Sequence, residues 1–172
     1  MSKSLRIALL IFIAVVVAGW VNNNQVDAAD TAVVSATVTV QNVSVTVSPG
    51  TVAYGTMALN SSKSTIPADL NAAQTVTNNG NVSEQFNIRG QNSANWTLGL
   101  TAGSDTYVHQ FCAAACTSPP TNFTGLTTNY QTLAASIAAS GTQTLHLRLT
   151  TPTTSSVFTQ QSVDVTLQAV AI

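Results

Sequence analysis

The sequence predicts an all-β protein, an antiparallel two-sheet sandwich of about eight to ten strands preceded by an N-terminal signal helix. Three observations carry that expectation. Apolar and polar residues alternate with period two in many short segments, most cleanly Leu145, Leu147 and Leu149 against Thr144, His146 and Arg148, and Val163, Val165, Leu167 and Ala169 against Ser162, Asp164, Thr166 and Gln168. Turn-forming clusters separate the segments at Asn78-Asn79-Gly80-Asn81, Arg89-Gly90-Gln91-Asn92, Ala102-Gly103-Ser104-Asp105, Ser140-Gly141 and the proline-bearing stretch after Thr150. Beyond Gly50 no stretch of helical period runs for more than a couple of turns.

The first element is not a strand. Lys3 and Arg6 precede an unbroken apolar run of fourteen residues from Ile7 to Trp20, followed by a polar stretch ending in small residues. A membrane span needs about twenty apolar residues, whereas a basic start, a short apolar core and Val26-Asp27-Ala28 before Ala29 describe a cleavable secretory signal over residues 1–28. Contact with a membrane is then expected only through this segment, if it stays uncleaved. Residues 29–172 are long enough for one sandwich domain and too short for two comfortable ones.

The seventeen residues from Thr31 to Val47 alternate almost without interruption, but they do so in two phases. Ala32, Val34, Ala36, Val38 and Val40 occupy even positions, and Val43, Val45 and Val47 odd ones, with the change at Gln41-Asn42. Side chains of a strand alternate between faces, so a one-residue slip turns the whole apolar set over. The two halves therefore read as two strands, joined either at a bulge or sheet switch within one sandwich or at the point where residues 30–41 leave to pair with another molecule. Further strands are expected at Val52 to Thr56, Gln74 to Asn78, Glu84 to Arg89, Asn95 to Thr101, Thr106 to Phe111, Gln131 to Ala138, Thr142 to Thr150 and Ser162 to Ala171. Ala58 to Ala73 reads as a long loop. Strands of this length and spacing suit an immunoglobulin-like sandwich or a jelly roll.

Only 6% of residues are charged, against about 25% in an average domain. After the leader the charges are Lys63, Arg89 and Arg148 against Asp30, Asp69, Glu84, Asp105 and Asp164, a net of −2. No basic patch exists, which excludes nucleic acid as a partner on electrostatic grounds. Soluble β proteins usually blunt edge strands with charge or proline. Here Ala32 to Val40 has no charge and Ser162 to Ile172 only Asp164, so these segments are either paired within their own sheet or built to pair with another chain.

Three resemblances add to this. The stretch from Val47 through Tyr54-Gly55 to Asn79-Gly80-Asn81 resembles bacterial surface immunoglobulin-like domains, in which Gly55 and Gly80 would be turn glycines. Asn87 to Leu100, an Arg-Gly turn followed by Trp96-Thr97-Leu98, resembles the first motif of cell-wall-binding WxL domains, and implies a surface-binding role for Trp96 and Leu98; the second Trp-x-Leu of those domains is missing. In architecture, an exported sandwich with an extra apolar strand after the cleavage site is similar to camelysin- and TasA-like fibre subunits, which implies donation of that strand to the next subunit.

Candidates for chemistry are few. Cys112 and Cys116 are the only cysteines, and in an exported protein such a pair is expected to form a disulfide. The alternative is a metal site of His109, Cys112 and Cys116 with His146 as a fourth ligand. Asp105 and His109 would share a strand face, but no nucleophile elbow accompanies them and the five acids are scattered, so neither catalysis nor a cofactor is expected. Tyr107, Phe86, Phe111, Trp96 and Phe158 fit core positions. Asn42, Asn60, Asn81, Asn95 and Asn122 each begin an Asn-x-Ser/Thr triplet. The function these features imply is a secreted structural subunit of a cell-surface assembly or extracellular filament, with Ala32 to Val40 as the assembly strand and itself or other surface components as partner. The alternative is a monomeric wall- or glycan-binding module.

Overall fold

The computed structural model describes residues 30–116 and 121–172, and the expected signal helix lies outside them. Thr39–Ile172 forms one compact unit, and the chain up to Val38 belongs to another. Among the described residues there is no helix. Ten strands form: β1 (Val45–Ser48), β2 (Ser62–Ser64), β3 (Gln74–Asn78), β4 (Glu84–Arg89), β5 (Thr97–Gly99), β6 (Thr106–Cys112), β7 (Thr124–Gly125), β8 (Gln131–Ile137), β9 (Thr142–Thr150) and β10 (Thr166–Ala171).

They make two sheets. The larger has the order β1-β3-β9-β6-β5, with β2 on β9 and β7 on β6, and the smaller has the order β10-β4-β8. The sequence periodicity explains the packing. In β9, Leu145 and Leu147 are buried and the intervening residues are not; Leu147 stands opposite Phe111 of β6, and Leu145 opposite Gln74 of β3. Phe86 and Ile88 of β4 are fully buried, and with Val76, Phe111, Leu126, Leu133, Leu145 and Leu147 they form one core contributed by both sheets. The architecture is therefore a sandwich-like all-β fold.

Several expected elements differ. Val52 to Thr56 forms no strand, and Ala58 to Ala73, expected as loop throughout, contributes β2 on the same side of β9 as β3. Asn95 to Thr101 contracts to the three residues of β5, and this strand runs parallel to β6, so the sheets are not wholly antiparallel. Ser162 to Ala171 forms a strand only from Thr166, because that is where pairing with Arg89 of β4 begins. The two-residue β7 carries no periodicity signal and went unexpected. The strand pair at Thr31 to Val47 is corrected most: only Val45–Ser48 is a strand, with Val45 and Val47 turned to the core as their odd phase predicts. Pro49, which has no N–H to donate, follows its end.

Candidate functional site

The phase change at Gln41-Asn42 marks the place where the chain stops being part of the sandwich. No strand is assigned from Asp30 to Ser44, so the change is neither a bulge within one strand nor a switch between the two sheets. From Thr31 to Gln41 every residue is exposed. Val33, Val34, Val38 and Val40 are 95%, 89%, 89% and 80% exposed, in a molecule that buries Val76 completely. Four exposed valines in one uncharged run leave about 25 cal/mol per Å2 of apolar area uncompensated, and scattered exposed apolar residues on an ordinary surface do not cluster in this way.

The link between this segment and the body is held by the turn joining β3 to β4. Asn81 donates from Nδ2 to the Val40 carbonyl at 2.8 Å and accepts the Asn42 N–H at Oδ1, also at 2.8 Å. Its own N–H goes to the Asn42 carbonyl at 3.2 Å. The Ser44 N–H is taken by Glu84 Oε1 at 2.8 Å, and Asn79 supplies its N–H to the Ser44 carbonyl. Three side-chain bonds and two main-chain bonds thus satisfy backbone groups of Val40, Asn42 and Ser44 where a ladder strand would otherwise do it. Gly80 lies at the closest approach, since a Cβ there would collide with the Asn42 carbonyl oxygen and Glu84 Oε1. It lies in the turn, as expected, and what needs a glycine there is this close passage; Gly55, with φ +69°, occupies the left-handed region.

Glu84 is fully buried, and its Oε2 has no hydrogen-bond partner among the described residues. Asn78 organises the same turn from inside, donating to the Val82 and Ile137 carbonyls and accepting the Gly80 N–H. Sequence reasoning did not single out Asn78, Asn81 or Glu84 as a latch. The available signal was the lone acid at an apolar phase position of its strand, next to a run of asparagines.

The cysteines are joined in a Cys112–Cys116 disulfide. The metal alternative fails on parity. His109 stands opposite Leu149 and Cys112 opposite His146, so His109 and Cys112 point to opposite faces of the sheet, and both sulfurs are already bonded to each other. Among the described residues no three His, Cys, Asp or Glu side chains cluster. Asp105 does not share a strand face with His109 either: it lies in the turn before β6 with φ 46°. Ser155 and Ser156 hydroxyls and the Ser156 N–H bind its carboxylate at 2.6 to 3.0 Å, which holds its pKa below the usual carboxylate value.

His109 is buried on the inner face. Its Nε2 is hydrogen-bonded to the Tyr54 hydroxyl at 3.1 Å, and its Nδ1 has no partner among the described residues. Burial pushes its pKa down to about 4 and that of Tyr54 up, with the Asp69 charge adding to the effect on Tyr54. Tyr107, pushed up to about 12 by burial, donates to the Gln91 carbonyl. Trp96 is half-buried, donates its indole N–H to Ser155 Oγ at 3.0 Å and packs near Tyr107, while Leu98, half-buried on β5, reaches Gly90. Of the five aromatics expected in the core, Phe86, Phe111 and Tyr107 are buried and Phe158 is 81% exposed. All five triplet asparagines are exposed.

Fold and site together define an all-β sandwich-like protein with a latched apolar segment that pairs with no strand among the described residues. Compared with known proteins, the chain matches no family model, no curated protein and no solved structure.

Proposed function

We propose that the protein is a secreted structural subunit that polymerises on the cell surface or into extracellular filaments, with Ala32 to Val40 as the strand donated from one copy to the next. The observation that carries this reading is the exposure of that segment's valines, in an alternating run with no charge to discourage pairing. A strand with one apolar face and unpaired backbone groups gains both hydrogen bonds and apolar burial when it joins a sheet edge. Donation between different surfaces of identical chains is a heterologous contact, which propagates as a filament unless the rotation closes a ring. Export rests on the basic and apolar leader at residues 1–28, and the immunoglobulin-like description of the sandwich on its strand number and spacing.

The test is deletion of residues 30–40, followed by size exclusion and negative-stain microscopy. The parent chain is expected to form polymers and the deletion variant a soluble monomer. Unchanged polymers from the deletion variant overturn the donated-strand reading. A parent chain that is a monodisperse monomer with affinity for cell-wall glycan favours the binding module, for which Trp96 and Leu98 are the residues to substitute.

A further inference from the structure

We infer that the donated Ala32–Val40 strand of a second copy docks on the free edge of β10, closing the core between β10 and β1; this rests on the polymerisation reading above. Every strand edge of the two sheets is a conceivable acceptor, and burial separates them. On the side where β10 approaches β1, the apolar residues facing the core are Val45 and Val47 on β1 and Val165, Leu167 and Ala169 on and before β10, and all five are only half-buried. On the side of β6 and β8, Phe111, Leu126 and Leu133 are buried, with β7 laid against β6, and the half-buried apolar residues of β8 are two, Ala134 and Ile137, against the five of the β10 side. A strand added beside β8 would find less apolar surface left to cover than one beside β10.

The β10 edge also suits a strand chemically. It pairs with β4 through one side only, has no strand on the other among the described residues, and Thr166 to Ala171 contains neither charge nor proline. The free edge of β1 is shorter, four residues followed by Pro49. At about 3.3 Å per residue the nine residues Ala32 to Val40 span roughly 30 Å, enough to cover the six of β10 and the extended chain before it. With their even-numbered side chains inward, Val34, Ala36 and Val38 would face the half-buried row, and Ser35, Thr37 and Thr39 would face solvent beside Thr166, Gln168 and Val170.

The exposure of Thr31 to Gln41, which pair with no strand among the described residues, favours a second copy as the source. Val40 is latched to Asn81 in the β3–β4 turn, and β10 ends at the same turn, with Ala171 opposite Glu84 and the Ile172 N–H on the Ser83 carbonyl. The donor therefore leaves from the end at which the acceptor edge terminates, so head-to-tail stacking continues the sandwich from copy to copy.

Cross-linking of the chain as isolated from expressing cells tests this. Ser35→Cys, Thr37→Cys and Thr39→Cys variants are each mixed with a Gln168→Cys variant, or with Thr132→Cys on β8 as the comparison. All these side chains point outward or are exposed, so the core is not altered. Directly opposed residues on neighbouring strands fall within disulfide range and diagonal ones do not. The expected result is a mixed dimer between Gln168→Cys and one of the three donors, and none with Thr132→Cys. Linking through Thr132→Cys, or no link in chains that still form filaments, overturns the β10 edge and leaves polymerisation standing. A double Thr37→Cys, Gln168→Cys chain that links only within itself overturns the second copy as donor. Absence of both links and filaments removes the polymerisation reading as well.

Discussion

β9 and the segment Thr31 to Val40 have nearly the same sequence signature and opposite fates. Both alternate an apolar set with threonines over nine or ten residues. β9 lies in the middle of the larger sheet, paired with β6 along one side and with β3 and β2 along the other, and buries Leu145 and Leu147. The N-terminal segment pairs with no strand among the described residues and exposes its valines. Alternation states which face of a strand would be buried. It does not state whether the chain itself supplies the neighbours.

The comparison can be broken most directly by truncating one residue in each region. Leu147→Ala in β9 removes apolar contacts inside a core closed on both sides and is expected to cost about 2–5 kcal/mol in denaturant unfolding. Val38→Ala is expected to change the same measurement by less than about 0.5 kcal/mol, as at an exposed surface site, while weakening polymerisation in light scattering. Equal losses at the two positions would show that residues 32–40 pack on their own body.

A second handle is the buried His109. Its folded pKa of about 4 lies below the ordinary value of 6.5, so the unfolded chain takes up the proton first as pH falls. The stabilising difference is complete above about pH 6.5, declines between there and about pH 4, and falls no further below, a loss of roughly 3 kcal/mol. Urea midpoints across that range should show the decline, and His109→Phe should remove it. The N-terminal segment contains no titrating group between Thr31 and Gln41, so a decline that survives in His109→Phe would have to arise in the body and would overturn the assignment.

The smallest body effects are expected at the turn and the disulfide. Gly80→Ala drives a methyl into the Asn42 carbonyl and Glu84 and should cost about 1–3 kcal/mol, with raised hydrogen exchange at Asn42 and Ser44; unchanged exchange would mean that the latch does not depend on this close passage. Reducing Cys112–Cys116, a separation of four residues, should cost about 2 kcal/mol by the chain-entropy estimate for so small a ring. A loss as large as that of Leu147→Ala would give the disulfide a part in the core.

Much of the body was legible locally. The spans Gln74 to Asn78, Glu84 to Arg89 and Thr142 to Thr150 form as their alternation and flanking turns predict, because propensity, period and punctuation agree there. Val52 to Thr56 alternates as well but runs as irregular chain, with Tyr54 held by His109 and its carbonyl by Lys63 Nζ. The short β2, β5 and β7 are too brief for periodicity to register and exist because longer strands offer them an edge. The Asn81 and Glu84 latch joins residues about forty positions apart, and no spacing rule reaches that far.

The sequence by itself determined the all-β class, the strands that face a core and the phase change at Gln41-Asn42, since side-chain period and turn chemistry act between near neighbours. Only the tertiary structure decided that the phase change is a point of departure from the sandwich, that His109 and Cys112 part to opposite faces, and that the β10 side of the core is left half-covered. Each of these depends on which distant strand supplies the hydrogen bonds and covers the apolar face, and that is settled by packing of the whole chain.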